Sequence, residues 1–299
     1  MITVRTVAEL RDALSDAGTV GLVPTMGALH EGHLSLVRRA REECDTVAVS
    51  VFVNPAQFGE GEDLEAYPRD AGRDAALLVA EGADVLFAPP LEEVYPAGFS
   101  TAVRVTGITE ILEGESRGPE HFEGVATVVL KLLTMAGAQV AYFGQKDAQQ
   151  ALVIGRMVRD LDIPVRIEVL PTVRDADGLA LSSRNTYLSE PERRQALSLN
   201  GALRAAEAAV ARGELDAAAV LTAARTELEA AGLEPEYLEL RSAEDLTPVE
   251  SVNGSTLLAV AARVGRARLI DNVVLATGAQ AERRPAEHRT LDNHSGGKA

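Results

Sequence analysis

Short, Val-rich apolar runs alternate with amphipathic segments through the first half of the chain. The runs at 19–25 (TVGLVPT), 46–54 (TVAVSVFVN), 84–90 (DVLFAPP), 140–145 (VAYFGQ) and 165–173 (VRIEVLPTV) predict β-strands. They are continuous rather than alternating, as expected of strands covered on both faces. Between them, 7–16, 33–43, 68–81, 122–136 and 147–161 read as amphipathic helices. Strand–helix alternation of this kind predicts an α/β fold with a doubly wound parallel sheet and helices on both faces. Ligands in such sheets sit beyond the C-terminal strand ends, so the loops there are the first place to look for chemistry.

The pattern changes near residue 190. Two Ala-rich helices follow, the first opening with Ser189 as N-cap and Pro191 early in the helix. The runs EYLELRSA, STLLAVAARVG and ARLIDNVVL then alternate like an antiparallel sheet. This predicts a second, smaller α+β domain over 174–278, after a first domain over 1–173. The last stretch, 279–299, lacks apolar periodicity and reads as a disordered tail. His288, His294 and Lys298 fall in it and carry no functional weight.

Composition narrows the possibilities. A formal net charge of −16 over 299 residues argues against generic binding to nucleic acid or anionic membrane. The single cysteine, Cys44, excludes an intrachain disulfide framework and any multi-cysteine metal site. The N-terminus shows no signal-peptide pattern and no apolar run reaches membrane-spanning length, so a cytoplasmic protein is expected. Basic residues are nearly all arginine; Lys131, Lys146 and Lys298 are the only lysines.

Five stretches carry candidate chemistry. In PTMGALHEGHLSL, His30 and His33 follow a strand and stand at or near a helix start. They are a weak zinc pair, because helical pairs favour i,i+4 spacing and no third ligand is near. A helix N-terminus is an anion site, so phosphate contact stands against a purely structural role. In FVNPAQFG, Asn54 and Gln57 can orient a polar or hydroxylated substrate, or Asn54-Pro55 is simply a turn. In SRGPEHFEGVATVV, Arg117 and His121 precede a long apolar helix, as packing groups or substrate-edge contacts.

In YFGQKDAQQ, a strand ends, Gly144 permits the turn, and Lys146, Asp147 and Gln150 open the next helix. Lys146 offers a point charge to phosphate and Asp147 a carboxylate to a ribose hydroxyl or the helix end. The alternative is an exposed ion pair. In LALSSRN, Ser182, Ser183 and Arg184 gather two hydroxyls and a guanidinium in one loop. It is either a loop that closes over polyphosphate or a Ser-rich linker. Jointly the His/His, Lys and Ser/Ser/Arg groups suit ATP.

The five stretches, in this order and spacing over roughly 1–278, resemble the pantothenate synthetase (pantoate–β-alanine ligase) family. His30-Glu31-Gly32-His33 matches the HxGH signature shared with nucleotidylyltransferases and class I aminoacyl-tRNA synthetases, and Ser182-Ser183-Arg184 resembles their KMSKS-type loop. The resemblance implies a Rossmann-like ATP- and pantoate-binding domain and a lid domain carrying that loop. It implies condensation of pantoate with β-alanine through a pantoyl adenylate, with ATP and Mg²⁺ consumed or required, AMP and pyrophosphate released, and a homodimer.

By motif, the resemblance places His30, His33, Lys146, Ser182, Ser183 and Arg184 on the triphosphate, and Gly144 and Asp147 on the ribose. Gln57 and Gln150 fall on pantoate, Met26 lines the ATP and pantoate pocket, and Asp74 falls near magnesium or a polar cleft network. One departure stands out. Family members read Arg-Pro-Gly-His where this chain reads Arg117-Gly118-Pro119-Glu120-His121, one residue longer. A nucleotidylyltransferase that keeps the nucleotidyl group on its product, and a catalytically silent nucleotide-binding module, are the other readings.

Overall fold

The computed structural model describes residues 1–59, 61–276 and 289–291. They group into two units. The first comprises Met1–Gly144, Gln149–Leu170 and 289–291; the second comprises Gln145–Ala148 and 171–276.

The first unit is built on six parallel strands: β1 (Ile2–Val4), β2 (Val20–Thr25), β3 (Thr46–Val51), β4 (Val85–Phe87), β5 (Val140–Gly144) and β6 (Arg166–Leu170). Their order is β1-β4-β3-β2-β5-β6, and a short strand, Arg289–Leu291, adds antiparallel to β6. The rest of 279–299, expected to be disordered, lies outside the described residues. β1 escapes a sequence reading because three residues carry no measurable period. Several strands stop earlier than the apolar runs suggest: β3 ends at Val51 and β6 at Leu170, just before Pro171, which has no N–H to give a ladder.

Successive strand residues enter opposite cores. Leu22, Phe87 and Ala141 join the cluster formed by α1 (Val7–Leu14), α6 (Pro119–Ala136) and α7 (Ala148–Asp160). Their neighbours Val23, Leu86 and Tyr142 join the cluster of α2 (Glu31–Glu43) and α3 (Ala71–Ala80). Period-two alternation with both faces apolar explains the continuous Val-rich runs. Two shorter helices, α4 (Leu91–Val94) and α5 (Glu113–Arg117), lie in the connection between β4 and α6.

Strand order reverses between β2 and β5. Their pairing stops at Leu22↔Ala141, so Val23–Thr25 and Tyr142–Gly144 run on without pairing to each other. This opens the crevice at which doubly wound sheets place ligands.

The second unit packs α8 (Glu190–Ala211) and α9 (Ala217–Ala230) on an antiparallel sheet of β7 (Pro235–Ser242), β8 (Ser255–Val264) and β9 (Ala267–Ala276). Ser189 and Glu192 form a capping box at the start of α8, and Asp216 caps α9 through Ala219 N–H. Alanines of the two helices (Ala196, Ala202, Ala206, Ala217, Ala224) are buried in this unit's core, where their small side chains suit close packing of the elements.

Candidate active site

The turn after β2 is shaped by a carboxylate from another part of the chain. Asp74, 2% exposed in the first turn of α3, accepts the N–H groups of Ala28 and Leu29, each at 2.8 Å. Gly27 (φ +84°) and Ala28 (φ +50°) take left-handed conformations to wrap that carboxylate. A Cβ on Gly27 would lie 3.0 Å from both Asp74 Oδ2 and Val51 Cγ1, so a side chain there meets strain and contact together. Thr25 Oγ1 accepts Gly27 N–H at 3.2 Å and donates to Ser50 O at 2.7 Å, tying the turn to β3.

This turn delivers His30 as the N-cap of α2, which therefore begins at Glu31 with His33 in its first turn. The two imidazoles are half-buried, with ring centroids 4.1 Å apart. His30 N–H donates to His33 Nδ1 at 3.4 Å. In the neutral ring that contact places the proton on Nε2, the nitrogen able to donate onward. Glu31 is drawn to Arg38, which also binds Glu81 at 2.8 Å, so the one acidic side chain of the first turn has cationic company. A helix start beside two imidazoles is chemistry of the kind that suits phosphate oxygens.

A second corner of the same unit forms after β3. Asn54, 1% exposed, caps the 3₁₀ turn Pro55–Gln57. Its Nδ2 donates to Gln57 Oε1 and to Gly124 O, both at 3.1 Å, and its Oδ1 accepts Tyr95 O–H at 2.8 Å and Ala56 N–H at 3.3 Å. Burial pushes the Tyr95 pKa up to about 12, which keeps that hydroxyl a donor. With Oε1 engaged by Asn54, the Gln57 side chain presents its NH₂ to whatever lies beyond.

The Gln57 carbonyl is held from the other side. His121 Nδ1–H donates to it at 2.7 Å, and Arg117 bridges to His121 Nε2 at 3.0 Å and to Glu62 at 2.6 Å. Burial, then the Arg117 charge, pulls the His121 pKa down to about 4, so the ring is neutral and its Nε2 accepts. Burial raises Glu62, but hydrogen bonding to Arg117 and its charge outweigh that and hold its pKa below the ordinary value. Gly118 (φ +84°) separates α5 from α6, and at this longer spacing the Arg117 and His121 side chains are in contact. Gly124 lets α6 press directly on the turn: a Cβ would stand 2.2 Å from Ala56 O.

Met26 and Gln150 are half-buried, whereas the neighbouring Gln149 is buried and bonds Glu113 N–H, Ile108 O and Ile111 O. Gly144, expected as a turn glycine, instead ends β5 without a positive φ, and nothing lies within 4 Å of where its Cβ would be. Its value is open space.

In the second unit Lys146 and Asp147 share a 3₁₀ turn, Gln145–Asp147, with Nζ 3.7 Å from the Asp147 carboxylate. Ser182 caps the 3₁₀ turn Ser183–Tyr187, its Oγ accepting Arg184 N–H at 3.3 Å. Asn185 Nδ2 ties that turn back to Ala180 O at 3.0 Å. The segment read as a Ser-rich loop is thus a capped turn that sets Ser182, Ser183 and Arg184 side by side.

The residues do not fit a protein-built magnesium site. Among the described residues no three His, Cys, Asp or Glu side chains form a group able to hold a metal, and both Asp74 oxygens are engaged by backbone N–H. Asn54 was within reach of sequence reasoning through its place before Pro55. Tyr95 and Glu62 were not, because nothing local to either marks them.

Known proteins resemble this chain over most of its length. The family model for pantoate-beta-alanine ligase matches residues 2–274. The pantothenate synthetase of Moorella thermoacetica is 52% identical over 280 residues, covering 92% of this chain and 99% of that protein. That of Cereibacter sphaeroides is 56% identical over 274 residues, covering 90% and 98%. The crystal structure of pantothenate synthetase from Thermus thermophilus superposes with a TM-score of 0.89 at 51% identity, covering 92% of this chain and all of that one. A pantoate-beta-alanine ligase from Francisella tularensis, solved with beta-gamma ATP and beta-alanine, gives 0.77 at 35% identity, covering 93% and 99%.

Proposed function

We propose how the site works from one premise: the chain belongs to the pantoate-beta-alanine ligase family. It is an enzyme that condenses pantoate with β-alanine at the expense of ATP. A pantoate carboxylate oxygen attacks the α-phosphorus and pyrophosphate leaves. The β-alanine amine then attacks the acyl carbon of the pantoyl adenylate and AMP leaves. Neither step needs a covalent bond to the protein, so the protein's contribution is alignment and stabilisation of charge on the phosphates.

The observation that carries the residue assignment is the Asp74-braced turn, which presents His33 Nε2–H and the start of α2 together. In this reading His30 and His33 donate to the triphosphate, with Lys146, Ser182, Ser183 and Arg184 supplying the remaining charge and donors. Gln57, its NH₂ turned outward by Asn54, and Gln150 hold pantoate oxygens, with Met26 against its apolar part. Gly144 and Asp147 take the ribose. Magnesium would come with ATP and supply positive charge to its phosphates, and no residue of this chain is assigned to hold it. Homodimeric assembly and a cytoplasmic setting complete the reading; no helix among the described residues is long and apolar enough to cross a membrane.

A pyrophosphate-release assay with pantoate, run with and without β-alanine, tests it. The expected result is one pyrophosphate per site without β-alanine, and steady turnover to pantothenate and equimolar AMP with it. A stable adenylylated product would instead indicate a nucleotidylyltransferase, and ATP binding with no pantoate-dependent release a silent nucleotide-binding module. His30→Ala and His33→Ala should slow the first half-reaction; slowing of aminolysis alone would remove these residues from the phosphates.

A further inference from the structure

Two adjacent residues of β9, Asp271 and Asn272, are 3% and 5% exposed although both are polar. Neighbours in a strand point to opposite faces, and each of these reaches a different segment. Asn272 Nδ2 donates to Gln145 O and Lys146 O, both at 2.9 Å, while its Oδ1 accepts Gln145 Nε2 at 3.0 Å. One amide therefore holds the first two carbonyls of the turn from which the Lys146 side chain projects. Asp271 takes Arg174 in a two-pronged pair at 2.6 and 2.9 Å, and Arg174 also donates to Gly178 O at 3.2 Å. Arg174 and Ala180 close the hairpin that leads into Ser182, and Leu181 N–H bonds Val173 O at 3.0 Å.

We propose that Asn272 is a positioning residue for Lys146, and that Asp271 does the same for the turn bearing Ser182, Ser183 and Arg184. β9 then works as a fixed bar against which both phosphate-facing segments are set. A buried amide with its donors and its acceptor all engaged has one orientation, and its partners inherit that order. Lysine carries a flexible stem, so its charge is useful in a transition state only if the backbone beneath it is already placed. The proposal rests on Lys146 acting on the triphosphate.

The test is pantoate-dependent ATP–pyrophosphate exchange by wild type, Asn272→Ala, Lys146→Ala and the double variant, with the thermal midpoint of each recorded. Asn272→Ala should lower kcat for exchange roughly 10- to 100-fold while the pantoate KM stays near wild type. In the Lys146→Ala background the same change should have little further effect, because the group it positions is gone. A full additional loss in the double variant, or unchanged exchange in Asn272→Ala, overturns the proposal while leaving Lys146 on the phosphates. Normal exchange by Lys146→Ala overturns the parent reading and this inference with it. Should Asn272→Ala not fold, Gln145→Met removes one of the three bonds from its half-buried partner. A several-fold loss that disappears with Lys146→Ala supports the proposal, and a loss that persists overturns it.

Discussion

Asn54 and Gln57 are joined amide to amide, Nδ2 of the first donating to Oε1 of the second at 3.1 Å. The link fixes what side-chain identity leaves open, namely which end of the Gln57 amide is engaged within the fold and which is left to other partners. A primary amide turned this way offers N–H, which suits a carboxylate or hydroxyl oxygen. Asn54→Ala frees the Gln57 amide to rotate and leaves Tyr95 O–H without its acceptor. The pantoate KM should rise about tenfold, the equivalent of one lost hydrogen bond, with the ATP KM little changed. Initial rates with each substrate varied in turn check this.

Asp74→Asn keeps the shape of the side chain but replaces one acceptor with a donor facing a backbone N–H. The variant should lose about 2–3 kcal/mol of stability, as expected for a buried charge-assisted pair left half-made. It should also raise the ATP KM, because the turn that carries His30 and His33 loosens. Urea unfolding together with ATP titration measures both. An effect of magnesium concentration on wild type and variant alike would agree with a bracing role for Asp74.

His121 gives the corner around Gln57 an acid limit. Its native pKa is about 4 against an ordinary 6.5, so the unfolded chain binds this proton more readily than the folded one. The stability that neutrality contributes is whole above pH 6.5 and is lost as pH falls toward 4. By 1.36 kcal/mol per unit the loss reaches roughly 3 kcal/mol at the bottom of that window. Of the groups facing this ring, Arg117 strengthens the depression, while the Gln57 carbonyl and the Glu62 and Glu113 carboxylates oppose it. His121→Asn should be less stable at pH 7.5 and show a shallower decline between pH 6.5 and 4, measured by unfolding at a series of pH values.

Gly124→Ala is the sharpest steric test. Its new methyl would lie 2.2 Å from Ala56 O and 2.8 Å from Gln57 N, where only backbone movement makes room. A loss of about 1–3 kcal/mol is expected, together with a higher pantoate KM, since the displaced turn carries Gln57. Gly201→Ala, on the helix α8 with only a distant carboxylate near its Cβ, serves as a control with small effect.

Much of the architecture was open to reading along the chain, since burying both faces of a parallel strand demands continuous apolar residues and burying one face of a helix demands a 3.6-residue period. Val47, Val49, Leu36 and Val37 announce themselves in that way. So do the residues whose meaning is local: His30 and His33 at a helix start, Lys146 after a strand, Ser182 before a turn. The three-residue β1 does not, because it is shorter than any period it could display.

What sequence order hides is the partner. Asp74 is 45 residues from Leu29, Arg117 is 55 from Glu62, and Asn272 is 126 from Lys146. Each pair exists because the sheet and its helices fold distant segments together, and a hydrogen bond between them has no local pattern to betray it. The motif residues and their chemical kinds therefore follow from the linear chain. Their tautomers, amide orientations and bracing were decided only by tertiary packing, which excludes water and makes a buried polar group costly unless it finds a partner.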